Sequence, residues 1–350
     1  MKRLQMVFLV GLILSGRLAQ GRCEERPELP FEWAASHEIR FSHKTSDGGY
    51  IIAGQFWTPG GNQYDFWVLK LKKDGSIDWQ KTYGGRDWDI AFATEQTSDG
   101  GFIVTGSTGS FGAGDYDVWV LKLNPQGDIV WQKTYGGPGG DYPGSIEQTK
   151  DGGYIVAGTT SSFGEGSYDL WILKLDENGA VVWDKTYGGK DEESEYFRHI
   201  PIEQTSDLGF IVAGSTKSFG AGDDDLWVLK LDPNGSIEWQ KTYGTSSEEY
   251  PTSVVEMPNG GYRLTGTVDL LATKEDEWIL MLDSKGNMVG FKSSGHRQLT
   301  VFDTSVVSKG TNKQSSASSA SVADTKPHMK DSKEQNRILY PAPPAATEYD

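Results

Sequence analysis

Residues 117–135 read DVWVLKLNPQGDIVWQKTY, and closely similar stretches begin at residues 65, 169 and 225. A tryptophan marks this stretch in five copies, at spacings of 52, 52, 56 and 51 residues: Trp67, Trp119, Trp171, Trp227 and Trp278. A Gly-containing turn precedes each of them, beginning at Asp47, Asp99, Asp151, Asp207 and Asn259. The chain is therefore a five-fold repeat, which predicts five copies of one supersecondary unit.

Each copy contains four strand-like runs, which are rich in Val, Ile, Trp, Phe and Tyr and bounded by turn residues. In the second copy the predicted strands cover residues 90–97, 102–107, 117–123 and 129–135. The third run has apolar residues on both faces, as expected of a sheet packed between two neighbours. We therefore predict an all-β fold, a five-bladed β-propeller of four-stranded antiparallel blades with about 52 residues per blade. A β-solenoid is the alternative, but its coils are shorter, at roughly 20–30 residues.

The N-terminal residues differ from the repeats. Lys2 and Arg3 precede an apolar run over residues 6–14, so residues 1–21 are predicted to be a secretory signal peptide. We expect a secreted, periplasmic or cell-surface protein with no membrane span after cleavage. An uncleaved anchor is one alternative, and a lipid on Cys23, the single cysteine, is another.

Two further segments flank the predicted propeller, which covers residues 37–295. Residues 22–36 form an N-terminal segment, in which Phe31-Glu32-Trp33 is similar to Ile237-Glu238-Trp239. Because the fifth copy has Gly290 in place of the second repeat tryptophan, we predict that residues 29–36 close the ring as the outer strand of the last blade. Residues 296–350 are rich in Ser, Lys, Ala and Pro and are predicted to form a disordered tail.

The net charge limits the class of partner. The whole chain has a formal charge of −16, and residues 37–295 hold 39 acidic and 21 basic side chains. This acidity argues against nucleic acid, whose phosphates require Lys and Arg. It is compatible with cations, basic partners or neutral glycans.

The candidate site lies on the face formed by the longer loops, which join the second strand to the third and the fourth to the next blade. Residues that depart from the repeat or add carboxylates there are the predicted ligand contacts: Trp57, Asp115, Asp141, Tyr196, Arg198, His199, Asp223 and Asp224. Drift in exposed loops is the alternative explanation of these departures. Calcium is the one cofactor considered, with candidate ligands at Asp115, Asp117, Asp223 and Asp225. The alternative is that an Asp before each strand tryptophan accepts local backbone N–H groups and fixes the loop.

The repeated pattern GGYIVAG, SFGxGxxDxW and WVLKLDxxGxxxWxKTYGG resembles secreted bacterial and archaeal β-propeller repeat proteins, most of which have no assigned function. The resemblance covers residues 37–295 and implies fold and export, but no catalytic residues. A more distant similarity is to quinoprotein-type propellers, whose blades share an LDxxGxxxW stretch that Leu231 to Trp239 fits. Those propellers resemble an eight-bladed ring with added cofactor ligands, so the shared stretch is interpreted as blade packing.

No metal-binding H-E-x-x-H or nucleophile G-x-S-x-G motif occurs in the sequence. We therefore expect an exported, monomeric, non-catalytic scaffold that recognises a glycan, a surface component or a protein partner. The alternative is a glycan-cleaving enzyme with paired carboxylates in the central mouth of the propeller. A structural repeat protein whose partner docks on the tail is a third hypothesis.

Overall fold

The computed structural model describes residues 37–58, 63–194, 199–220, 224–244, 248–270, 274–293 and 321–323. All regular secondary structure in these ranges is β-strand. None of the described residues belongs to a helix that is long and apolar enough to cross a membrane.

The strands form one four-stranded antiparallel sheet per repeat, in chain order. Blade 1 consists of β1 (His37–Lys44), β2 (Tyr50–Thr58), β3 (Gln63–Leu71) and β4 (Ile77–Tyr83). Blade 2 consists of β5 (Asp89–Gln96), β6 (Phe102–Thr108), β7 (Asp117–Leu123) and β8 (Ile129–Gly136). Blade 3 consists of β9 (Asp141–Gln148), β10 (Tyr154–Thr160), β11 (Asp169–Leu175) and β12 (Val181–Tyr187). Blade 4 consists of β13 (Ile202–Gln204), β14 (Phe210–Thr216), β15 (Asp225–Leu231) and β16 (Ile237–Tyr243). Blade 5 consists of β17 (Glu248–Glu256), β18 (Tyr262–Leu270), β19 (Lys274–Leu282) and β20 (Met288–Ser293). Five four-stranded sheets confirm the all-β prediction and are consistent with a β-propeller.

Apolar clusters fill the boundaries between consecutive blades. In β7, Trp119 and Leu121 pack with blade 1 residues, whereas Val118 and Val120 pack with blade 3 residues. All four are completely buried. The prediction that the third strand buries both faces is therefore confirmed, since each inner blade lies between two others.

The outer strand of each of blades 1–4 also holds the next blade through two polar contacts. In β8, Trp131 Nε1 donates to the Glu177 carbonyl at 3.1 Å, and Tyr135 Oη donates to the Gly179 carbonyl at 2.7 Å. The same pair of contacts is made by Trp79 and Tyr83, Trp183 and Tyr187, and Trp239 and Tyr243. The repeat tryptophans of the outer strand are thus blade-packing residues.

Both ends of the repeat array lie largely outside the described residues. Within the described part of blade 5, β20 is the outer strand. Residues 29–36 and most of residues 296–350 are not described, so the ring-closing strand and the disordered tail stay predictions. In the tail, β21 (Ser321–Ala323) pairs antiparallel with β8. An open sheet edge offers unpaired N–H and C=O groups, with which a short segment can pair without a core of its own.

Candidate functional site

The upper face, defined by the β2–β3 and β4–β5 loops and their equivalents, contains the predicted ligand contacts that the structure describes. Trp57 lies near the end of β2, Asp115 lies before β7, and Asp224 lies before β15. Asp141 is the first residue of β9. Tyr196, Arg198 and Asp223 lie outside the described residues, so their assignment stays a prediction.

Asp141 is buried rather than exposed to a ligand. Its carboxylate accepts hydrogen bonds from the Thr160 hydroxyl, from Ser162 Oγ at 2.8 Å and from the Gly137 amide at 2.8 Å. Burial raises the pKa of Asp141 to about 6, although these hydrogen bonds oppose the shift. Asp141 therefore ties the start of blade 3 to its own loops.

Asp117 lies on the other side of the same boundary and fixes the loop before β7. Its Oδ2 accepts the Ala113 and Gly114 amides at 2.9 and 3.2 Å. Asp169 makes the equivalent contacts with the Glu165 and Gly166 amides. For these two residues the structure confirms the alternative in which the Asp accepts local backbone N–H groups.

The two carboxyl groups face each other across the blade boundary. A Cβ placed on Gly136 would lie 2.0 Å from Asp117 Oδ1 and 2.6 Å from Asp141 Oδ2, so only glycine fits between them. Gly188 lies in the same way between Asp169 and Glu193. Because these carboxyl pairs are buried within the blade boundaries, their arrangement favours a structural role over contact with a substrate in the mouth.

The described residues contain no cluster of ligating side chains that fits the calcium prediction. Nowhere in those ranges does a group of three or more His, Cys, Asp or Glu side chains lie close enough together to hold a metal ion. Asp115 is exposed, and Asp117 is engaged with its loop amides. Calcium binding therefore stays a prediction that the geometry of these residues does not strengthen.

His199 lies three residues before β13 and contacts residues of other blades. Its Nδ1 donates to the Gly144 carbonyl at 3.0 Å, and its ring lies 6.2 Å from that of Phe41 on β1. Burial lowers the pKa of His199 to about 4, so the imidazole is neutral near pH 7. The contacts join the inner strands of blades 1 and 3 to the segment that leads into blade 4.

Asp224 belongs to a charged sector on blade 4. Lys217 Nζ lies 3.0 Å from Glu192 Oε2 and 3.6 Å from Asp224 Oδ2. Burial raises the pKa of Asp224, and the Lys217 ammonium opposes that shift. Two carboxylates, Glu192 and Asp224, thus share one ammonium in this sector.

An aromatic arc crosses the upper face of blades 1–3, and sequence reasoning identified only one of its members. The arc consists of Trp57, Tyr64, Trp88, Tyr116, Tyr142 and Tyr168. The Trp57 and Tyr64 ring centroids are 4.9 Å apart, and those of Tyr64 and Trp88 are 5.4 Å apart, both edge to face. Trp88 is 41% exposed and Tyr142 is buried, while the other four rings are half-buried, so the accessible surface of the arc is largest at Trp88.

The second half of the arc continues towards blade 3. The Tyr142 centroid lies 5.8 Å from that of Tyr116 and 6.1 Å from that of Tyr168. Gly109 lies between the two halves, where a Cβ would be 3.4 Å from the Trp88 carbonyl oxygen and from Tyr116 Cε1. The six rings therefore form two groups of three over three blades, Trp57–Tyr64–Trp88 and Tyr116–Tyr142–Tyr168.

The backbone beneath the arc is fixed by hydrogen bonds to the next blade. The Tyr116 carbonyl accepts the Asp141 amide at 2.7 Å, and the Tyr168 carbonyl accepts the Glu193 amide at 2.8 Å. Tyr64, Tyr116 and Tyr168 take one repeat position, directly before the loop Asp, where blade 4 has Asp224. A comparison of the copies at this position would have indicated the arc.

Acidic side chains border the arc. Burial raises the pKa of Tyr116, and the carboxylates of Asp87, Asp89 and Asp115 add to the shift. Asp87 and Asp115 are exposed. The upper face thus combines apolar rings with exposed hydrogen-bond acceptors on blades 1–3.

Comparison with known proteins supports the fold. A family profile described as "Domain of unknown function (DUF5122) beta-propeller" matches residues 45–78, which lie within blade 1. No curated protein matches the sequence.

Three solved structures are similar to this chain at low sequence identity. A member of the duf4221 family from Bacteroides vulgatus has 12% identity and a TM-score of 0.40, with 74% of this chain and 81% of that chain covered. A structure described as the eukaryotic initiation factor has 10% identity and a TM-score of 0.34, covering 73% of this chain and 55% of that one. Sqt1 from Chaetomium thermophilum has 9% identity and a TM-score of 0.36, covering 73% and 71%. TM-scores of this size support no conclusion about activity.

Proposed function

We propose that this chain is an exported, non-catalytic binding module that binds a neutral carbohydrate chain along the aromatic arc. The arc itself is the observation that supports this function. Aromatic side chains offer large, rigid apolar surfaces, and Tyr and Trp add a polar group at the edge of the ring. Such surfaces suit the alternating C–H and O–H faces of a sugar.

The acidic border of the arc favours a neutral or basic ligand over an anionic one. Asp87 and Asp115 lie beside the rings and are exposed, so their carboxylates can accept hydrogen bonds from sugar hydroxyls. The same charges repel sulfated or uronic-acid glycans, because like charges at an interface suppress wrong partners. The two ring groups, spread over three blades, favour an extended ligand with several sugar residues.

The test is a glycan array with the purified mature chain, followed by calorimetric titration of the best ligand. Trp88→Ala and Tyr116→Ala are each expected to weaken binding by about five-fold or more, since an aromatic contact contributes about 1 kcal/mol beyond its buried area. Val182→Ala is the matched control, because Val182 is 60% exposed on β12, away from the arc. Unchanged affinity in both arc variants, or no glycan bound by a folded protein, would overturn the proposal.

Two additional arms separate the alternatives. New reducing ends in the titrated mixture would instead support the carboxylate-based glycan-cleaving enzyme. Binding that is lost in chelator and restored by calcium would add a cation to the site. Equal binding with chelator and with calcium would show that the arc binds the glycan without a cation.

A further inference from the structure

The first carboxyl pair, Asp65 and Asp89, lies at the boundary between blades 1 and 2 and adjoins two rings of the aromatic arc. Asp65 directly follows Tyr64, and Asp89 directly follows Trp88. The Tyr64 and Trp88 rings meet across this boundary, with centroids 5.4 Å apart. Because chain neighbours share one backbone, the spacing of these two rings depends on the distance between the two carboxyl groups.

The second carboxyl pair, Asp169 and Glu193, lies at the boundary between blades 3 and 4. The two side chains are hydrogen-bonded to each other. Both point to the space that a Cβ on Gly188 would take, with oxygens 1.8 and 2.4 Å from it. Asp169 directly follows Tyr168, and the Glu193 amide donates to the Tyr168 carbonyl at 2.8 Å. Both members of the pair therefore hold the backbone of the last ring of the arc.

A hydrogen bond between two carboxyl groups requires a proton on one of them. Loss of that proton to solvent leaves two carboxylates that face each other, and like charges in one buried site repel. Glu165 is a further charge that acts on Asp169, and it is also negative. Lys217 on blade 4 is engaged with Glu192 and Asp224. These neighbouring charges therefore do not offset the repulsion that follows deprotonation of the second pair.

Neutral donors hold Asp89 and Glu193 in place. They are the Thr108 and Ser110 hydroxyls and the Gly85 amide for Asp89, and the Thr216 and Ser218 hydroxyls and the Gly189 amide for Glu193. Burial raises the pKa of Asp89 to about 6 and that of Glu193 to about 7, and the charge of the partner acid adds to each shift. Tyr116 also faces Asp89, but burial raises the pKa of Tyr116, so its hydroxyl stays neutral in this range.

We infer that these two carboxyl pairs make the geometry of the aromatic arc dependent on pH: a shared proton in each pair keeps the blades together at the rings, and its loss separates them. The inference concerns the regulation of the proposed carbohydrate site and therefore rests on the proposed function. A carboxyl group whose pKa is raised in the folded chain keeps its proton in acid and loses it as the pH rises. The arc is therefore expected to be ordered near pH 5 and displaced near pH 8, and carbohydrate binding is expected to take up protons.

Hydrogen exchange of the mature chain without carbohydrate tests the effect on the backbone. Protection is measured as the ratio of the intrinsic to the observed exchange rate at each pH. The protection of the Glu193 amide is expected to fall by about five-fold or more between pH 5 and pH 8, because the boundary opens locally. The Gly179 amide, which donates to the Asp176 carbonyl in a turn at the other end of blade 3, is expected to keep its protection.

Two variants complete the exchange experiment. Glu193→Gln cannot ionise, so the amide of residue 193 should keep its protection at both pH values. Glu177→Gln, at an exposed position in the same turn as Gly179, should behave as the wild type. Equal protection of Glu193 at both pH values in the wild type, or the same loss in Glu193→Gln, would overturn the inference.

Carbohydrate binding at two pH values tests the consequence for the site. The probes are the neutral oligosaccharides of the glycan array, applied at pH 5 and pH 8 to the wild type and to the double variant Asp89→Asn with Glu193→Gln. Wild-type binding is expected to be about ten-fold weaker at pH 8, which corresponds to a difference of about one pKa unit between the free and bound states. Binding by the double variant is expected to be nearly the same at both pH values.

The two experiments distinguish this inference from the proposed function. An array without bound glycan, together with the expected exchange of Glu193, would contradict carbohydrate binding but not the pH-dependent geometry. Glycan binding of equal strength at both pH values in the wild type would support the carbohydrate site and refute its control by the carboxyl pairs.

Discussion

The face that blade 2 turns to blade 3 and the equivalent face of blade 5 use the same repeat positions, but only the face of blade 2 holds a buried lysine. The face of blade 5 is called its free side here, because no described apolar cluster joins it to another blade. Lys122 is almost fully buried and its Nζ lies 2.8 Å from Asp99 Oδ2. At the equivalent positions blade 5 has Met281, which is 42% exposed, and Asn259. Blade 5 therefore lacks both the lysine and its carboxylate partner at these positions.

This difference shows that the repeat encodes, besides the strands, an ion pair within each of blades 1–4 that satisfies a buried lysine on β3, β7, β11 or β15. A buried ammonium is tolerated only when a carboxylate and further acceptors satisfy it. Lys122 has such partners in Asp99 and the Leu123 carbonyl. Blade 5 keeps the strand tryptophan Trp278 and its turn glycines, which form the sheet, while it loses the residues that serve a following blade. The sequence of the fifth repeat is therefore suited to the end of the array.

The largest expected effect comes from placing the glycine found at position 290 of blade 5 at the equivalent tryptophan of blade 2. Trp131→Gly removes the Trp131–Glu177 hydrogen bond and the ring that lies 5.8 Å from Tyr154. We expect a loss of about 3–5 kcal/mol in the free energy of unfolding, as for other truncations of packed aromatic residues. Urea unfolding followed by circular dichroism measures the effect.

Two controls accompany this change. Val130→Thr, at a position 61% exposed on the same strand, is expected to alter stability by less than about 0.5 kcal/mol. Gly290→Trp is expected to give no comparable gain, because the atoms nearest to a Cβ placed on Gly290 all belong to Met281 of blade 5 rather than to a turn of another blade. A large stabilisation by Gly290→Trp would show that the free side of blade 5 is an ordinary boundary after all.

A second prediction concerns pH, because two groups of carboxyls have opposite shifts. Burial raises the pKa of Asp89 and Asp141 to about 6 and of Glu193 to about 7. Their contribution to stability is complete below about pH 4 and is lost as the pH rises through 6–7. Burial by itself would raise the pKa of Asp99. Hydrogen bonds from Lys122, Thr97 and the Gly101 amide outweigh that effect and lower the pKa to about 2. That contribution is present above about pH 4 and is lost as the pH falls towards 2.

The melting temperature is therefore expected to be highest between about pH 4 and 6. Asp141→Asn cannot ionise, so it should flatten the alkaline side of the profile, with a relative gain of up to about 3 kcal/mol at pH 8. Asp115→Asn, at an exposed position on the same face, should leave the profile unchanged. A wild-type profile that rises steadily from pH 5 to 8 would contradict the assignment.

The smallest expected effect is the coupling between Lys122 and Asp99. Asp99→Asn alone should cost about 1–2 kcal/mol, since it leaves a buried ammonium with less compensation, while the exposure of Asp99 limits the loss. The double variant with Lys122→Met reproduces the residues of blade 5 and should cost less than the sum of the single changes. A double-mutant cycle in urea measures this coupling, and strictly additive costs would show that the pair is not a unit.

The repeat predicted most of the fold. In blade 2 the predicted third strand coincides with β7, and the other three differ from β5, β6 and β8 by one residue at one or both ends. The alternation of apolar residues in β7 predicted burial on both faces because side chains of a strand point to opposite sides. The tail strand β21 was not predicted, since three residues are too few to show a pattern of their own.

The candidate site was predicted less well. Asp141 and Asp224 were interpreted as ligand contacts because they are acidic and lie at loop ends, yet they are almost fully buried. Sequence position does not reveal whether a carboxylate faces solvent or a loop amide. Trp57 was identified from its departure from the repeat, whereas Tyr64, Tyr116 and Tyr168 were overlooked because they follow the repeat in three copies.

The sequence alone determined the number of repeats, the four strands of each and the two-sided burial of their third strands, because these depend on periodicities along the chain. Only the tertiary structure decided which residues from different copies meet. Asp117 and Asp141 are 24 positions apart, yet their carboxyl oxygens lie on either side of Gly136. The rings of the aromatic arc come from three blades. Such contacts depend on how one sheet stacks on the next, and that stacking is set by the packing of whole faces rather than by any local pattern.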